Sequence, residues 1–297
     1  MTHHTAFNRD RGKHLMRSAI IYLVLAAGAL AMLFPVYWMY MASFKDEFYS
    51  TGEHMVWFPP PWEAKYFTLD HYRELLSRTG SKTSGGTDNF IDATVNTAIM
   101  TGVGTLGNIL FCAMAGFALA KLKFRGRNFI LMAVVSTMMI PGIMLLLPNF
   151  AITTFVLHGY NNFAGLIIPG LAGPFGIFLM RQYMLSIPDE LLDAAKVDGA
   201  GIVRIFFSIV LPLSTPIIVA YGILLVLGFW NELIWPMVIT KDLVVLQMAL
   251  QNLVEIGSQR MGPAMAGAAI SSTPVIILFL IVRKQFVRAM TSGALKG

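Results

Sequence analysis

The sequence predicts an all-α, polytopic membrane protein, and three observations carry this prediction. Of the 297 residues, 56% are hydrophobic and only 13% are charged, which is too apolar for an ordinary soluble domain. Several apolar runs exceed the roughly 20 residues that an α-helix needs to cross a bilayer. These runs do not alternate apolar and polar residues in segments of about ten, as the strands of a membrane β-barrel do.

Six apolar segments are long enough to be spans, and their predicted bounds are 18–44, 93–120, 129–152, 164–185, 205–230 and 264–282. The fourth span is interrupted by four helix-breaking residues, namely Pro169, Gly170, Gly173 and Pro174. The basic start followed by an apolar run is similar to a signal peptide. The run is too long for one, however, which predicts a retained first helix.

The spans divide the chain into a cytoplasmic N-terminal segment 1–17, a first span 18–44, an outer loop 45–92, a core 93–288 that includes a cytoplasmic loop 186–204, and a C-terminal tail 289–297. The outer loop is expected to hold a short helix at "DHYRELL" and a flexible connector at "TGSKTSGGTDN". A second outer segment, 231–263, is expected to carry a short amphipathic helix.

The basic residues predict the orientation of the chain. Fifteen of the 22 lysines and arginines fall in the N-terminal segment, the second-to-third connection, the loop 186–204 with Arg181, and the C-terminus. Cytoplasmic segments carry such an excess of Lys and Arg. The sequence therefore predicts that both termini are cytoplasmic, and this bias explains the net charge of +6 without nucleic acid.

The stretch "DELLDAAKVDGAGIVR" places six charges between two apolar spans. Each charge would cost about 2.5–3.5 kcal/mol at the bilayer centre, so the stretch is expected outside the membrane. Its pattern predicts a short helix with Ser186 as a cap, Pro188 in the first turn and Gly199 at the end. A second helix is expected to begin near Gly201 and continue into span five. This physics alone favours an ordinary cytoplasmic loop.

The spacing of the small and apolar residues in this stretch gives a further indication of its function. In order, the positions are Asp193, Ala194, Ala195, Gly199, Ile209, Leu211 and Pro212. They resemble the EAA loop of permease subunits in ATP-binding-cassette importers, which reads E-A-A, three residues, G, nine residues, I-x-L-P. Every fixed position fits except the first, where Asp193 replaces Glu.

Other stretches resemble one branch of that family, the second permease subunit of maltose-type carbohydrate importers. They are "FPVYWMYMASFKD", "FTLDHYRELL", "AGFALAKLKFRGRN", "MIPGIMLLLPNF", "GLIIP", "FWNELIWPMVI" and "TSGALKG". The resemblance covers nearly the whole chain from about residue 18. It implies the six-helix type I importer fold and a bacterial-type inner membrane as the location.

The resemblance also implies the partners and the coupling mechanism. The helix 188–198 would dock on a cytoplasmic ATPase subunit, and the tail residues Thr291, Ser292 and Gly293 would also contact the ATPases. A homologous permease, two ATPase subunits and an extracytoplasmic binding protein would complete the importer. The partner ATPases would bind ATP and Mg²⁺, and this chain is expected to have no cofactor or metal of its own.

No catalytic motif is evident in the chain, which lacks a G-x-x-x-x-G-K-[ST] phosphate loop. The sequence therefore predicts a permease subunit that is not an enzyme. The polar candidates for a substrate path are Asn149, Tyr221, Asn231 and Glu232, whereas Trp230 and Trp235 are expected to be membrane-interface anchors. The leading interpretation is import of a carbohydrate or polyol. The alternatives are a glycerol phosphate, an acidic oligosaccharide or another solute, or a self-contained channel, secondary transporter or membrane enzyme.

Overall fold

The computed structural model of the chain describes residues 3–50, 54–60, 62–77, 90–256 and 261–294, which are mostly helical and contain no β-sheet. The predicted connector 79–89 and residues 295–297 of the predicted tail lie outside the described residues. The α-helices are α1 (His3–Phe44), α2 (Asp70–Ser77), α3 (Phe90–Lys121), α4 (Arg127–Thr137), α5 (Leu146–Ala151), α6 (Phe163–Ile167), α7 (Pro174–Met184), α8 (Asp189–Val197), α9 (Ile202–Ile205), α10 (Leu211–Leu213), α11 (Thr215–Trp230), α12 (Ile234–Ile239), α13 (Leu246–Ile256) and α14 (Met261–Ala294).

Among the residues that the structure describes, three helical stretches are unbroken and apolar enough to cross a membrane. They are Met16–Phe44, Phe90–Lys121 and Met261–Val282, and they correspond to the first, second and sixth predicted spans. The other three predicted spans are pairs of helices that bend sharply at a short break. Six spans therefore stay a prediction, since that number requires each bent pair to cross as one span. The predicted short helices α2 and α13 are both present.

The third predicted span is not a continuous helix, contrary to the sequence prediction. The stretches Arg127–Thr137 and Gly142–Val156 meet at 99°. The break lies at Pro141, which has no N–H to donate, and proline also disfavours helical backbone at the residue before it. The apolar run continues through this point, so hydrophobicity alone predicted a straight span.

The fifth predicted span also bends, by 77° between Ile202–Leu213 and Thr215–Trp230. Pro216 has no N–H to donate to the carbonyl oxygen of Pro212. Instead, Thr215 Oγ1 donates to that oxygen at 2.6 Å. At the corner, Ser214 Oγ donates to the carbonyl of Val210 at 2.7 Å. Local hydroxyl groups thus satisfy part of the backbone that the bend releases.

The fourth predicted span is broken where its prolines and glycines predicted, with a bend of 46°. Pro169 cannot donate to the carbonyl of Gly165, and Trp235 Nε1 donates to it at 3.0 Å instead. Pro174 likewise frees the carbonyl of Gly170, to which Asn108 Nδ2 donates at 2.7 Å. Side chains from two other helices therefore satisfy both carbonyls, as irregular backbone in an apolar region requires.

Trp230 and Trp235, predicted to anchor the chain at the membrane interface, both form hydrogen bonds inside the protein. Trp230 is buried, and its Nε1 donates to the carbonyl of Ser271 at 3.0 Å. Trp235 is half-buried and holds the broken fourth span through Gly165. Both indoles bridge helices, because each finds a backbone acceptor inside the protein.

The described chain forms two compact units. One comprises residues 1–75 and 253–270, and the other residues 76–252 and 271–297. In the larger unit, α3 packs against α7 and α11. Its core includes Cys112, Ala113, Phe117, Met180, Met184, Val210 and Tyr221. The approach of α3 to α7 is close because Gly116 has no side chain: a Cβ there would lie 2.7 Å from Met180 Cβ and 2.9 Å from the backbone nitrogen of Arg181.

The smaller unit is organised around Lys45, which directly follows α1 and is only 1% exposed. Its ammonium donates to the carbonyl of Val56 and lies 5.0 Å from the ring of Trp38. Burial lowers the pKa of Lys45. The Lys45 carbonyl lies 3.0 Å from His71 Nε2, which joins α2 to the end of α1. Sequence reasoning missed this residue, because a lysine after an apolar run is typical of an exposed helix end.

Candidate functional site: the charged helix-turn-helix and the cavity

The charged stretch "DELLDAAKVDGAGIVR" begins with the short helix α8, as predicted, but the start of the helix differs in detail from the prediction. Pro188 occupies the position before the helix, and Asp189 and Glu190 fall in the first turn, where carboxylates complement the positive helix end. Ser186 is not the cap. Its Oγ donates to the carbonyl of Tyr183 at 2.7 Å and so belongs to the end of α7.

The helix ends at Gly199, as the sequence predicts. Gly199 has φ +79°, a left-handed conformation that glycine adopts without steric cost. The amide of Gly199 donates to Lys196 O at 3.0 Å, and the amide of Ala200 donates to Ala195 O at 2.9 Å. This pair of bonds is the Schellman motif, which satisfies carbonyls at the helix end. Gly201 then starts α9 in extended conformation.

One face of α8 packs against the rest of the larger unit, to which the helix belongs, and the other face is exposed. Leu192 is 5% exposed and belongs to the core, and Ala195 is half-buried against it. Leu191 and Ala194 are exposed. The sequence analysis did not predict the anchoring role of Leu192. The helical spacing of Leu192 and Ala195, three residues apart, could have indicated that they share a face.

Exposed apolar side chains precede and follow Gly199 in the sequence. Val197 is 88% exposed and Val203 is 70% exposed, and Ile202 and Leu191 are also exposed. We call these four residues the apolar rim. Because the adjoining sequence is charged, we expect this rim to lie outside the membrane, where lipid would not cover it. Such exposed apolar groups mark protein contact sites.

Asp193, the position that departs from the E-A-A pattern, has its partner within α8. Its Oδ1 lies 2.7 Å from Lys196 Nζ, and both side chains are largely exposed. A pair of this kind, three residues apart on an exposed helix, contributes only about 0.2–0.5 kcal/mol. The Asp193 carboxylate thus stays accessible to solvent.

Lys121, at the end of α3, joins the second span to the start of α8. Its side chain is 5% exposed, and its Nζ donates to Ile187 O at 2.5 Å and to Asp189 Oδ1 at 2.6 Å. The Lys121 ammonium lowers the pKa of Asp189 from its ordinary value of 3.8. A depressed carboxyl pKa means that the pair persists above pH 3.8 and is lost only as pH falls through the lower, folded value. Sequence reasoning missed this contact, since the two residues are 68 positions apart.

We expect Lys121→Met to loosen α8, because the hydrogen bonds to Asp189 in its first turn and to Ile187 just before the helix are both lost. Amide hydrogen exchange of residues 188–197 should become roughly tenfold faster, since local opening is governed by such contacts. Lys121→Arg should keep most of the protection, and Lys123→Met, on an exposed side chain of the same loop, is the matched control. Unchanged exchange in Lys121→Met would contradict this role.

The last motif residues, Ile209, Leu211 and Pro212, follow in the second helix of the loop. Residues Phe206–Val210 form a π-helical turn, and α10 continues from it. Ile209 and Leu211 are half-buried, whereas Pro212 is exposed. The motif therefore ends directly before the 77° corner at Ser214. A π turn, which inserts an extra residue into the helix, is frequent at functional sites.

Two of the predicted substrate-path residues meet in one cavity. The cavity measures about 400 Å³, and its lining includes Asn149, Glu232, Phe229, Trp235, Pro169 and Gly170. The breaks in the third and fourth spans help to form it, because Gly142 and Pro169 both contribute to the wall. Asn149 and Glu232, which are 83 positions apart in sequence, are thus brought together.

The other two predicted path residues lie elsewhere. Tyr221 is buried, and its hydroxyl donates to Asn108 Oδ1 at 3.0 Å. Its ring also occupies the space beside Gly176, so its contacts are those of a packing residue. Asn231 is exposed, with its Nδ2 donating to Leu227 O at 2.8 Å. Neither residue lines the cavity.

The predicted tail begins as helix. α14 continues to Ala294, twelve residues beyond the predicted end of span six, so Thr291, Ser292 and Gly293 lie within it. The sequence predicted a tail from residue 289, and the helix is longer because residues 283–290 contain no proline or glycine.

Comparison with known proteins gives a family match over residues 109–292, described as the inner membrane component of binding-protein-dependent transport systems. The chain belongs to this family. The matched region of this permease contains α8, the Gly199 turn, the π turn at Phe206–Val210 and all of the cavity lining except Met100. The family assignment confirms the resemblance read from the spacing of residues 193–212 and makes the chain an integral inner-membrane component of a transport system.

Two relatives span almost all of the permease. The arabinooligosaccharides transport system permease protein AraQ of Bacillus subtilis is 31% identical, over 91% of this chain and 92% of the relative. The sn-glycerol-3-phosphate transport system permease protein UgpE of Yersinia pestis is 27% identical, over 92% and 95%.

A solved structure has the same fold. A bacterial ABC transporter involved in import of the acidic polysaccharide alginate has a chain that superposes with a TM-score of 0.77 and 23% identity. The match covers 92% of the permease and 98% of that chain. The all-α importer permease fold is thereby confirmed.

Proposed function

We propose that this permease is one of two homologous membrane subunits of an importer for a carbohydrate or polyol, driven by separate ATPase subunits. The observation that carries the proposal is α8 with its apolar rim. Leu192 fixes the helix to the core, while Val197 and Val203 are exposed. This arrangement fits a groove on a soluble partner, and motion of that partner would reach spans two, four and five through Lys121, α7 and α9.

The proposed assembly contains a second, homologous permease, two ATPase subunits that bind ATP and Mg²⁺, and an extracytoplasmic binding protein. The apolar surfaces of the spans support contact with lipid and with the second permease, since Leu23, Met32 and Leu106 are each at least 70% exposed. The charge bias supports cytoplasmic termini. The extension of α14 through Gly293 supports a role for that end in contacting the ATPases.

The carbohydrate assignment rests on the relatives. The name of one relative specifies arabinooligosaccharides, that of another specifies sn-glycerol 3-phosphate, and the solved structure concerns alginate. A neutral sugar, a glycerol phosphate and an acidic oligosaccharide are therefore the competing solutes. A self-contained channel or secondary transporter has less support. The ion pairs of the described residues lie in loops and at helix ends, not within the spans.

Reconstitution tests this function. The complex that co-purifies with the tagged permease from native membranes is placed in proteoliposomes, with ATP inside or outside and the binding protein added. Uptake of radiolabelled neutral oligosaccharides should require the ATPase subunits, ATP on their side and the binding protein. Uptake by the permease alone, without ATP, would sink the proposal.

A further inference from the structure

The cavity beside the broken third and fourth spans has a mostly apolar lining in which the described ionisable groups are of one sign only. Among its lining residues that the structure describes, Glu232 is the one ionisable side chain, and no lysine, arginine or histidine contributes. We propose that the Glu232 carboxylate makes this cavity a site for uncharged, polyhydroxylated solutes and excludes anionic ones. This inference rests on the proposed function and narrows its solute class.

The geometry leaves half of the carboxylate available. Glu232 Oε1 accepts from the backbone N–H of Trp235 at 3.2 Å, which fixes the side chain at the start of α12. Oε2 has no partner among the residues that the structure describes. A carboxylate oxygen that is positioned in this way accepts strong, charge-assisted hydrogen bonds from hydroxyl groups.

The rest of the cavity wall can contact the apolar ring faces and further hydroxyl groups of a sugar. Phe229 and Trp235 contribute aromatic surface, and the indole of Trp235 is held by its bond to Gly165 O at 3.0 Å. Asn149 adds an amide that can both donate and accept. Ligand cavities combine such an apolar lining with a few convergent polar groups. At about 400 Å³ the cavity has room for roughly one or two rings of an oligosaccharide, and the remaining rings of a longer one would lie outside it.

An anionic solute would meet the opposite conditions. Its carboxylate or phosphate would approach Glu232 in a half-buried site with no cation in the described wall. Like charges repel more strongly where protein replaces water. A uronate or a glycerol phosphate is therefore disfavoured by the group that would help to hold a neutral sugar.

Glu232→Gln isolates the charge. Glutamine keeps an oxygen that can accept from the Trp235 amide, so the start of α12 is preserved while the charge is removed. Asp242→Asn is the matched control, because it changes the net charge equally at an exposed position outside the cavity. Trp235→Phe identifies the part of the fluorescence signal that comes from the cavity wall.

The measurement is direct binding to the permease, co-purified with its partner permease in lipid nanodiscs, followed by tryptophan fluorescence. The probes are neutral trisaccharides (arabinotriose and galactotriose) and the anionic trigalacturonate. The wild-type protein should bind a neutral probe with a Trp235-dependent signal and bind trigalacturonate more weakly. In Glu232→Gln, affinity for trigalacturonate should rise roughly tenfold, which corresponds to about 1.4 kcal/mol. Asp242→Asn should change neither affinity.

Three results would overturn the inference. They are wild-type affinity for trigalacturonate equal to that for the neutral probes, an unchanged preference in Glu232→Gln, or no Trp235-dependent signal with any probe. None of these results touches the proposed function, which the reconstituted uptake decides separately. An importer that carries trigalacturonate in the wild type would thus keep the function and lose the selectivity.

Discussion

Replacing Gly199 with valine is expected to reduce uptake by the complete importer to about a hundredth or less, while the permease still inserts and assembles with its partner permease. The residue has φ +79°, which a β-branched side chain adopts only with strain of about 1–3 kcal/mol. The turn would relax toward negative φ, and the bonds from Gly199 and Ala200 to the end of α8 would break. The rim residues Val197 and Val203 would then lose their common orientation toward the partner.

The chain offers a close control for this change. Gly201 lies two residues further on and has φ −69° and ψ 163°, and a Cβ at this position would have no neighbouring atom within 4 Å. Gly201→Val should therefore retain most of the uptake. The measurements are uptake and binding-protein-stimulated ATPase activity in proteoliposomes, with expression followed in parallel. Normal coupling in Gly199→Val, or equal losses in both variants, would show that the turn does not transmit motion.

The second large effect is expected from Gly116→Ala, which should lower the thermal stability of the permease. The added methyl group would meet Met180 Cβ at 2.7 Å and the backbone nitrogen of Arg181 at 2.9 Å, so α3 and α7 would have to separate. Overpacking of a well-packed site costs about 1–3 kcal/mol, and a clash with backbone is relieved less easily than one with a flexible side chain. The lost contact lies in the core that anchors α8 through Leu192.

Gly102→Ala is the control for this prediction. It lies on the same helix, and a Cβ there has nothing within 4 Å. Alanine should slightly stabilise the helix at that position, since glycine is the poorer helix former by about 1 kcal/mol. Unfolding of the detergent-purified permease is followed by size-exclusion chromatography after heating. A Gly116→Ala protein as stable as Gly102→Ala would contradict the close approach of α3 and α7.

The lengths of the apolar runs and the positions of proline and glycine predicted the parts of the fold that depend on local sequence. The first, second and sixth spans follow from long apolar runs, and the break in the fourth follows from Pro169 and Pro174. The sharp bends in the third and fifth spans were missed, although Pro141 and Pro216 lie at them. A proline inside a helix produces anything from a slight kink to a right-angle turn, and neighbouring helices decide which.

In the candidate site, too, local features were predicted from the sequence and contacts between distant residues were not. The spacing of residues 193–212 was sufficient to locate the helix, its glycine turn and the family. The contacts of Lys121 with Ile187 and Asp189 join residues far apart in sequence, as does the meeting of Asn149 and Glu232 in the cavity. Periodicity reports only which residues share a face of one element. It cannot show which face of a second element lies opposite.

The hydrogen bonds at the broken fourth span have a mechanical consequence. Asn108 and Trp235 each donate to a carbonyl that a proline has released, so the elbow between α6 and α7 is fastened on both sides. Straightening it would leave two polar groups without partners in an apolar setting, which is energetically unfavourable. The elbow therefore behaves as a rigid bracket. If a partner displaces α8, as proposed, α7 would carry this bracket and the cavity wall formed by Pro169 and Gly170 as a single piece. The cavity would then change shape because whole walls move, and not because the elbow itself bends.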